Sequence, residues 1–215
     1  MFYSSEKRKS VYINGAQEYR YRALDIIISL LALLVSAPVL LVIMLLIKIS
    51  DVKAPIFFKQ SRIGLDGKPF EMYKFRSMVV GAEKLKAALL EQNEVKGLMF
   101  KITDDPRITR IGKFLRKTSV DEFPQLLNVL QGHMSVVGPR PPLPEEVAEY
   151  TSYDKLRLLV KPGCTGLWQV SGRNKLSFEE MVELDLHYIR HRSIRLNMMI
   201  LMKTWREITG KGSGV

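Results

Sequence analysis

Cysteine, tryptophan and histidine are scarce in this chain: one, two and three copies among 215 residues. A lone Cys164 excludes an internal disulfide framework and a cysteine-rich zinc site, and it fits a reducing compartment. With no histidine near it in sequence to act as a base, Cys164 reads as a small packing residue. His133, His187 and His191 form no metal-ligand pattern; His187 and His191 share an i, i+4 spacing that an ordinary helix surface explains equally well. Internal repeats, low-complexity tracts and zinc spacings are absent. Acidic residues are in deficit, with 22 Asp and Glu against 33 Lys and Arg, a net charge of +11. That excess attracts anions, whether nucleic acid, acidic headgroups or phosphorylated small molecules. A nucleic-acid fold signature and an interleaving of basic and aromatic residues are both missing, which argues against nucleic acid.

Charge is missing altogether from Ile26 to Ile47, IIISLLALLVSAPVLLVIMLLI, a run of 22 residues. As a helix it is about 33 Å long, enough for a hydrocarbon core. A soluble helix is rarely apolar on every face, and the run is too long, and too poor in cleavage-site residues, for a signal peptide. Membrane insertion follows. The usual asymmetry of basic flanks is also lacking: Lys7, Arg8, Lys9, Arg20 and Arg22 precede the run, and Lys48, Lys53, Lys59 and Arg62 follow it. Pro38 removes a backbone hydrogen bond near the middle, and the Ser36 hydroxyl stands two residues before it. A helix that bends at Ser36-Ala37-Pro38 and leaves on the side it entered satisfies both observations. A kinked but spanning helix satisfies the proline alone, and residue physics leaves both open.

The remaining chain, at 215 residues in total, is sized for one catalytic domain. Pro55 to Met78 reads as a β-hairpin turning at Leu65-Asp66-Gly67-Lys68. Lys84 to Gln92 reads as a short helix, Ile111 to Arg116 as a basic one, and a further helix runs through Leu130 to end at Gly132. Gly138 to Pro144, GPRPPLP, is a stiff extended loop. Lys161 to Ser177 is a loop with one short strand, and Ser177 to Arg192 a helix with a capping box from Ser177 and Glu180. Ile194 to Ile208 mixes apolar residues with Lys and Arg, as a helix at an interface does; a core helix is the competing reading.

Against this background stands RKTSVDEFPQLLNVLQGHMSVVGPRP, Arg116 to Pro141. Ser119-Val120-Asp121-Glu122 matches a helix capping box, with acidic groups in a first turn and Pro124 nearby. The chemical reading is different. Arg116 and Lys117 precede the carboxylates, neighbouring helical side chains point apart, and cations recur in loops as Lys74, Arg76, Arg140 and Arg173. Guanidinium groups grip phosphate oxygens in pairs. A carboxylate among them stays ionised and can attack phosphorus, while magnesium, held by one or two carboxylates and substrate phosphates, screens the charge.

PIFFKQSRIG, YKFRSM, RKTSVDEFPQLLNVLQGHMSVVGPRP and PGCTGLWQVSGR, in this order, closely resemble the bacterial sugar transferases known as monotopic phosphoglycosyl transferases, over about residues 20 to 209. The resemblance implies transfer of a phosphosugar from a nucleotide diphosphate sugar, usually uridine-linked, to a polyprenyl (undecaprenyl) phosphate. It implies Asp121 as nucleophile through a covalent phosphosugar-aspartyl intermediate. Glu122 supports it around Mg2+ or in acid–base chemistry, and both carboxylates are candidate metal ligands. Arg116 is implied as a phosphate ligand and Arg140 as a contact of the diphosphate or uridine; Lys74, Arg76 and Arg173 are substrate-binding by charge. A re-entrant helix broken at a Ser-Pro pair is also implied, with both ends at the cytoplasmic face of the bacterial inner membrane. Here Ala37 takes the serine position, with Ser36 beside it and Pro38 matching, and Cys164 stands where an aliphatic residue is commoner.

The expected fold is therefore α+β: a segment 1–50 with a re-entrant membrane helix at about 23–48, then a compact, mainly helical cytoplasmic catalytic domain at 51–215 with a small β-hairpin and interfacial amphipathic helices. The multi-pass extension of larger relatives is not seen, so the small form is expected. The product would start lipid-linked glycan assembly for exopolysaccharide, capsule, O-antigen or glycoprotein. Expected partners are the nucleotide sugar, the polyprenyl phosphate and membrane lipids, with no nucleic acid; a homodimer is left open. A non-catalytic membrane-bound scaffold of a polysaccharide assembly complex is the competing reading, and the intact dyad and arginines argue against it.

Overall fold

The computed structural model describes residues 15–86, 88–89, 102, 105–172 and 175–208. They form two compact units. The first holds residues up to 35 with 60–72 and 125 onward; the second holds 36–59 and 73–124.

Helix α1, Gly15–Ser50, is the longest element. Its 36 residues make it about 54 Å long, and Gln17–Ser50 has the length and apolar composition to cross a membrane. Much of its apolar surface is uncovered, with Leu34, Val35, Leu41 and Leu45 all exposed. An exposed apolar surface of this extent marks an interaction face, for a membrane or another protein. The break expected at Ser36 and Pro38 is not an interruption: helical backbone continues through both residues. One proline removes a single ladder bond, which adjoining turns outlast in an apolar setting.

In the first unit, α1 buries a stripe of Tyr21, Asp25 and Ser29 at intervals of four residues. Arg22 donates to the carbonyls of Val129 and Leu130, in the last turn of helix α4, Gln125–Gln131. Asp25 accepts from the Ser135 hydroxyl at 3.0 Å and the Val136 amide at 2.9 Å, on strand β3, Ser135–Val137. β3 pairs in parallel with β4, Gly163–Thr165, in the register Ser135 to Gly163 and Val137 to Thr165. The core beside this pair is built from Phe70, Met72, Val129, Met134, Leu186 and Ile200. Helix α6, Phe178–His191, starts with the expected capping box: Ser177 accepts from the Glu180 amide and Glu180 from the Ser177 amide. Helix α7, Ile194–Ile208, answers to both readings of its sequence. Ile200 is fully buried, whereas Met198, Met202 and Trp205 are exposed. Pro144 is not the end of an extended loop but the first residue of a short helix α5, Pro144–Ala148, where its fixed φ and missing N–H suit a helix start.

The hairpin forms as expected, β1 (Phe57–Ile63) pairing with β2 (Pro69–Phe75) across a 3-10 turn at Leu65–Gly67, with Asp66 left-handed at φ 58°. In the second unit, helix α2 occupies Ala82–Lys86 and covers the start of the helix expected from Lys84 to Gln92, of which residues 87 and 90–92 lie outside the described residues. The basic helix α3 runs Arg110–Lys117.

Candidate active site

The second unit assembles the cationic and acidic residues around one close backbone approach. The carbonyl of Ser77 accepts from the Thr109 amide at 3.0 Å, and the Thr109 hydroxyl caps α3 by accepting from the Gly112 amide at 2.9 Å. A Cβ on Gly112 would stand 1.9 Å from the Ser77 oxygen, so α3 packs this closely on the YKFRSM segment only because residue 112 has no side chain. One turn later Arg116 donates Nε to the Ser77 hydroxyl at 2.9 Å. Arg107 backs the same segment. Its guanidinium makes a paired bond to the Asp105 carboxylate, with Nη2 to Oδ2 at 2.6 Å, and its carbonyl accepts from the Val79 amide.

Past α3 the chain does not begin the expected capping box. Ser119 adopts a left-handed backbone, φ 56° and ψ 15°, and its side chain caps nothing. A 3-10 turn, Val120–Glu122, follows, and α4 starts only at Gln125. Left-handed backbone costs a serine about 1 kcal/mol, which a mere helix start would not require. Successive residues of a 3-10 turn point about 120° apart. Asp121 therefore turns inward, 7% exposed, while Glu122 turns outward and its Oε1 takes the Lys74 ammonium at 2.7 Å. The two carboxylates thus face different surroundings.

Burial pushes the Asp121 carboxyl up to about 6, and the like charge of Glu122 adds to this, while Lys74 and then Arg116 pull it down without cancelling the effect. The Asp121 side chain meets only its own backbone amide among the described residues. It is a buried acid with two cations nearby and no partner consuming it.

Of the sequence candidates, Asp121, Glu122, Lys74 and Arg116 are thus brought together. Arg76 is not part of this arrangement: its Nε donates to the Pro55 carbonyl at 2.8 Å, tying the entry and exit of the hairpin. Arg140 belongs to the first unit, where its Nη1 faces Glu146 at 3.3 and 3.4 Å. Arg173 lies outside the described residues. Sequence reasoning missed Ser77 and Gly112. A glycine inside a short basic helix was the available sign for the second, since it costs helix stability unless packing requires it.

The donor set can be tested against magnesium. No cluster of three His, Cys, Asp or Glu able to hold a metal occurs among the described residues, so an all-protein cage is not offered. Mg2+ needs no such cage; it takes hard oxygens from one or two carboxylates and completes its shell with water and phosphate. Asp121 and Glu122 fit that mode, and a buried acid shifted upward gains from an added cation.

A sequence model of the family described as bacterial sugar transferase matches residues 16–211. The galactosyl transferase CpsE of Streptococcus agalactiae serotype III is 49% identical over 206 residues, 93% of this chain and 45% of that protein. The exopolysaccharide production protein ExoY of Sinorhizobium fredii is 41% identical over 187 residues, 85% of this chain and 82% of its own length. A UDP-glucose:undecaprenyl-phosphate glucose-1-phosphate transferase of Klebsiella pneumoniae is 42% identical over 200 residues, 89% of this chain and 40% of that protein. The chain thus spans less than half of CpsE and of the Klebsiella protein, and most of ExoY.

Proposed function

The chain belongs to the bacterial sugar transferase family, and from that premise we propose that it moves a phosphosugar from a UDP-sugar to undecaprenyl phosphate, with Asp121 as nucleophile. The observation that carries this reading is the inward, unengaged Asp121 carboxyl flanked by Lys74 and Arg116. The name of the Klebsiella relative supports the donor and acceptor classes.

In the first half-reaction a carboxylate oxygen of Asp121 attacks the phosphorus that bears the sugar. The bond from that phosphorus to the bridging oxygen breaks, and uridine monophosphate leaves with the electron pair. In the second half an oxygen of the lipid phosphate attacks the same phosphorus and the Asp121 carboxylate departs. Arg116, oriented by Ser77, lends its remaining N–H groups to phosphate oxygens. Lys74 fixes Glu122 and lowers the cost of ionising Asp121. Burial excludes water, which would otherwise compete for the acyl phosphate. Asp121 and Glu122 would hold a magnesium ion, which would supply charge screening and polarisation to the bound diphosphate. Helix α1 is read as re-entrant in the bacterial inner membrane, with residues 51–215 at the cytoplasmic face; basic residues on both flanks support this.

The direct test incubates the purified full chain with a UDP-sugar labelled in the sugar and no lipid acceptor. The expected result is label bound covalently to the protein and lost in Asp121→Asn. Label that never joins the protein, together with full turnover by that variant, overturns the mechanism.

A further inference from the structure

The loop from Gly138 to Leu143 is held at almost every residue of its backbone. The Gly138 amide donates to Thr165 at 2.9 Å, and the Pro139 carbonyl accepts from Gly163 at 2.8 Å. Pro141 accepts from the Arg62 guanidinium at 3.0 Å, and Pro142 from the Ile63 amide at 2.9 Å. The Leu143 amide donates to Glu146 Oε2 at 2.8 Å. Proline at three of these positions stiffens the segment further. Within it Arg140 is held only through its side chain, by one nitrogen: Nη1 is shared between the two oxygens of Glu146 at 3.3 and 3.4 Å. The Nε and Nη2 edge of the same guanidinium has no partner among the described residues. Glu146 itself is 4% exposed.

Burying a carboxylate is costly unless its oxygens are satisfied, and a backbone cap needs one oxygen and no charge. Glutamine would cap Leu143 as well. What the charge adds is a fixed direction for Arg140, whose unused edge is the planar fork that grips phosphate in pairs. The end of this short stretch is immobilised too. Arg157 donates to the Tyr150 hydroxyl at 3.0 Å and to the Asp185 carboxylate, and it lies over the rings of Tyr150 and Phe178.

We propose that Glu146 is a positioning residue that aims Arg140, so that its Nε–Nη2 edge receives a diphosphate without reorientation. This rests on the donor-binding reading given above, but its test does not depend on transfer. The probes are UDP and inorganic pyrophosphate, each with magnesium, titrated calorimetrically against the full chain in detergent. Glu146→Gln keeps the size and the cap while removing the charge. It is expected to weaken both probes about tenfold, close to the loss in Arg140→Met, with the melting temperature unchanged. The double variant should bind no worse than Arg140→Met alone.

Wild-type affinity in Glu146→Gln, tighter binding there (Glu146 then only repels the ligand), additive losses in the double variant, or a wild-type chain that binds neither probe each overturns the assignment. If Asp121 forms no adduct while Glu146→Gln still loosens pyrophosphate, the transfer mechanism fails and the positioning role stands.

Discussion

Asp121 and Asp185 invite comparison. Both are buried, at 7% and 0% exposure, and burial raises both carboxyls to about 6. Their surroundings differ. Asp185 is engaged by the buried Arg157, which also holds the Tyr150 hydroxyl, so its charge is spent inside the first unit. Asp121 sits in the second unit on a turn entered through a left-handed serine, near Lys74 and Arg116 but bonded to neither. The same desolvation serves opposite ends: one aspartate is consumed by its partner, and the other is kept available. A perturbed acid is informative about chemistry only when its contacts are counted beside its shift.

Four experiments break or sharpen that contrast. Asp121→Asn should slow adduct formation by on the order of 10³-fold or more, in a radiolabel assay, without lowering the melting temperature. If it unfolds the protein instead, the two aspartates are alike. Asp185→Ala strands a buried guanidinium and should cost about 3–5 kcal/mol in urea or thermal unfolding, whereas Arg157→Met with Asp185→Leu should recover most of it. Gly112→Ala forces a methyl against the Ser77 carbonyl and should destabilise by about 1–3 kcal/mol. It should also lower turnover, because Arg116 loses its hold on Ser77.

The fourth experiment is pH. On the proposed mechanism Asp121 is ionised to attack, so the rate of adduct formation should fall about tenfold per unit as pH drops below about 6. This half-reaction avoids the lipid phosphate monoester, which itself titrates near about 6. Stability runs the other way. A carboxyl raised in the folded state favours folding at low pH, and that contribution is lost as pH climbs from its ordinary range to about 6. Asp121→Asn should remove its own contribution and leave those of the other raised carboxyls, Asp25 and Asp185, and unfolding midpoints across pH 4 to 7 measure it.

The sequence revealed elements with strong local chemistry. The Asp66-Gly67 turn, the Ser177 and Glu180 cap, and α3 followed its patterns closely. It also put Asp121, Glu122, Lys74 and Arg116 on one candidate list, because charge and motif are written in residue types. Three things were hidden. The short strand expected within Lys161–Ser177 is β4, but its partner β3 is three residues long, too short for any periodicity to register, and their parallel pairing is not written in either segment. Ser119-Val120-Asp121-Glu122 has the letters of a capping box, but Ser119 takes a left-handed turn that tertiary packing selects over local preference. Arg140 and Glu146 lie six residues apart on either side of prolines, and only the folded loop places them face to face.

The bonds of Arg22 and Asp25 carry a further consequence. One side chain quenches the terminal carbonyls of α4, and the other receives the amide and hydroxyl at the head of β3. Removing the segment that carries these two residues therefore unstitches the fold it leaves behind. The long apolar helix is thus also a structural member of the unit it enters, and its loss and the loss of the native state become one event.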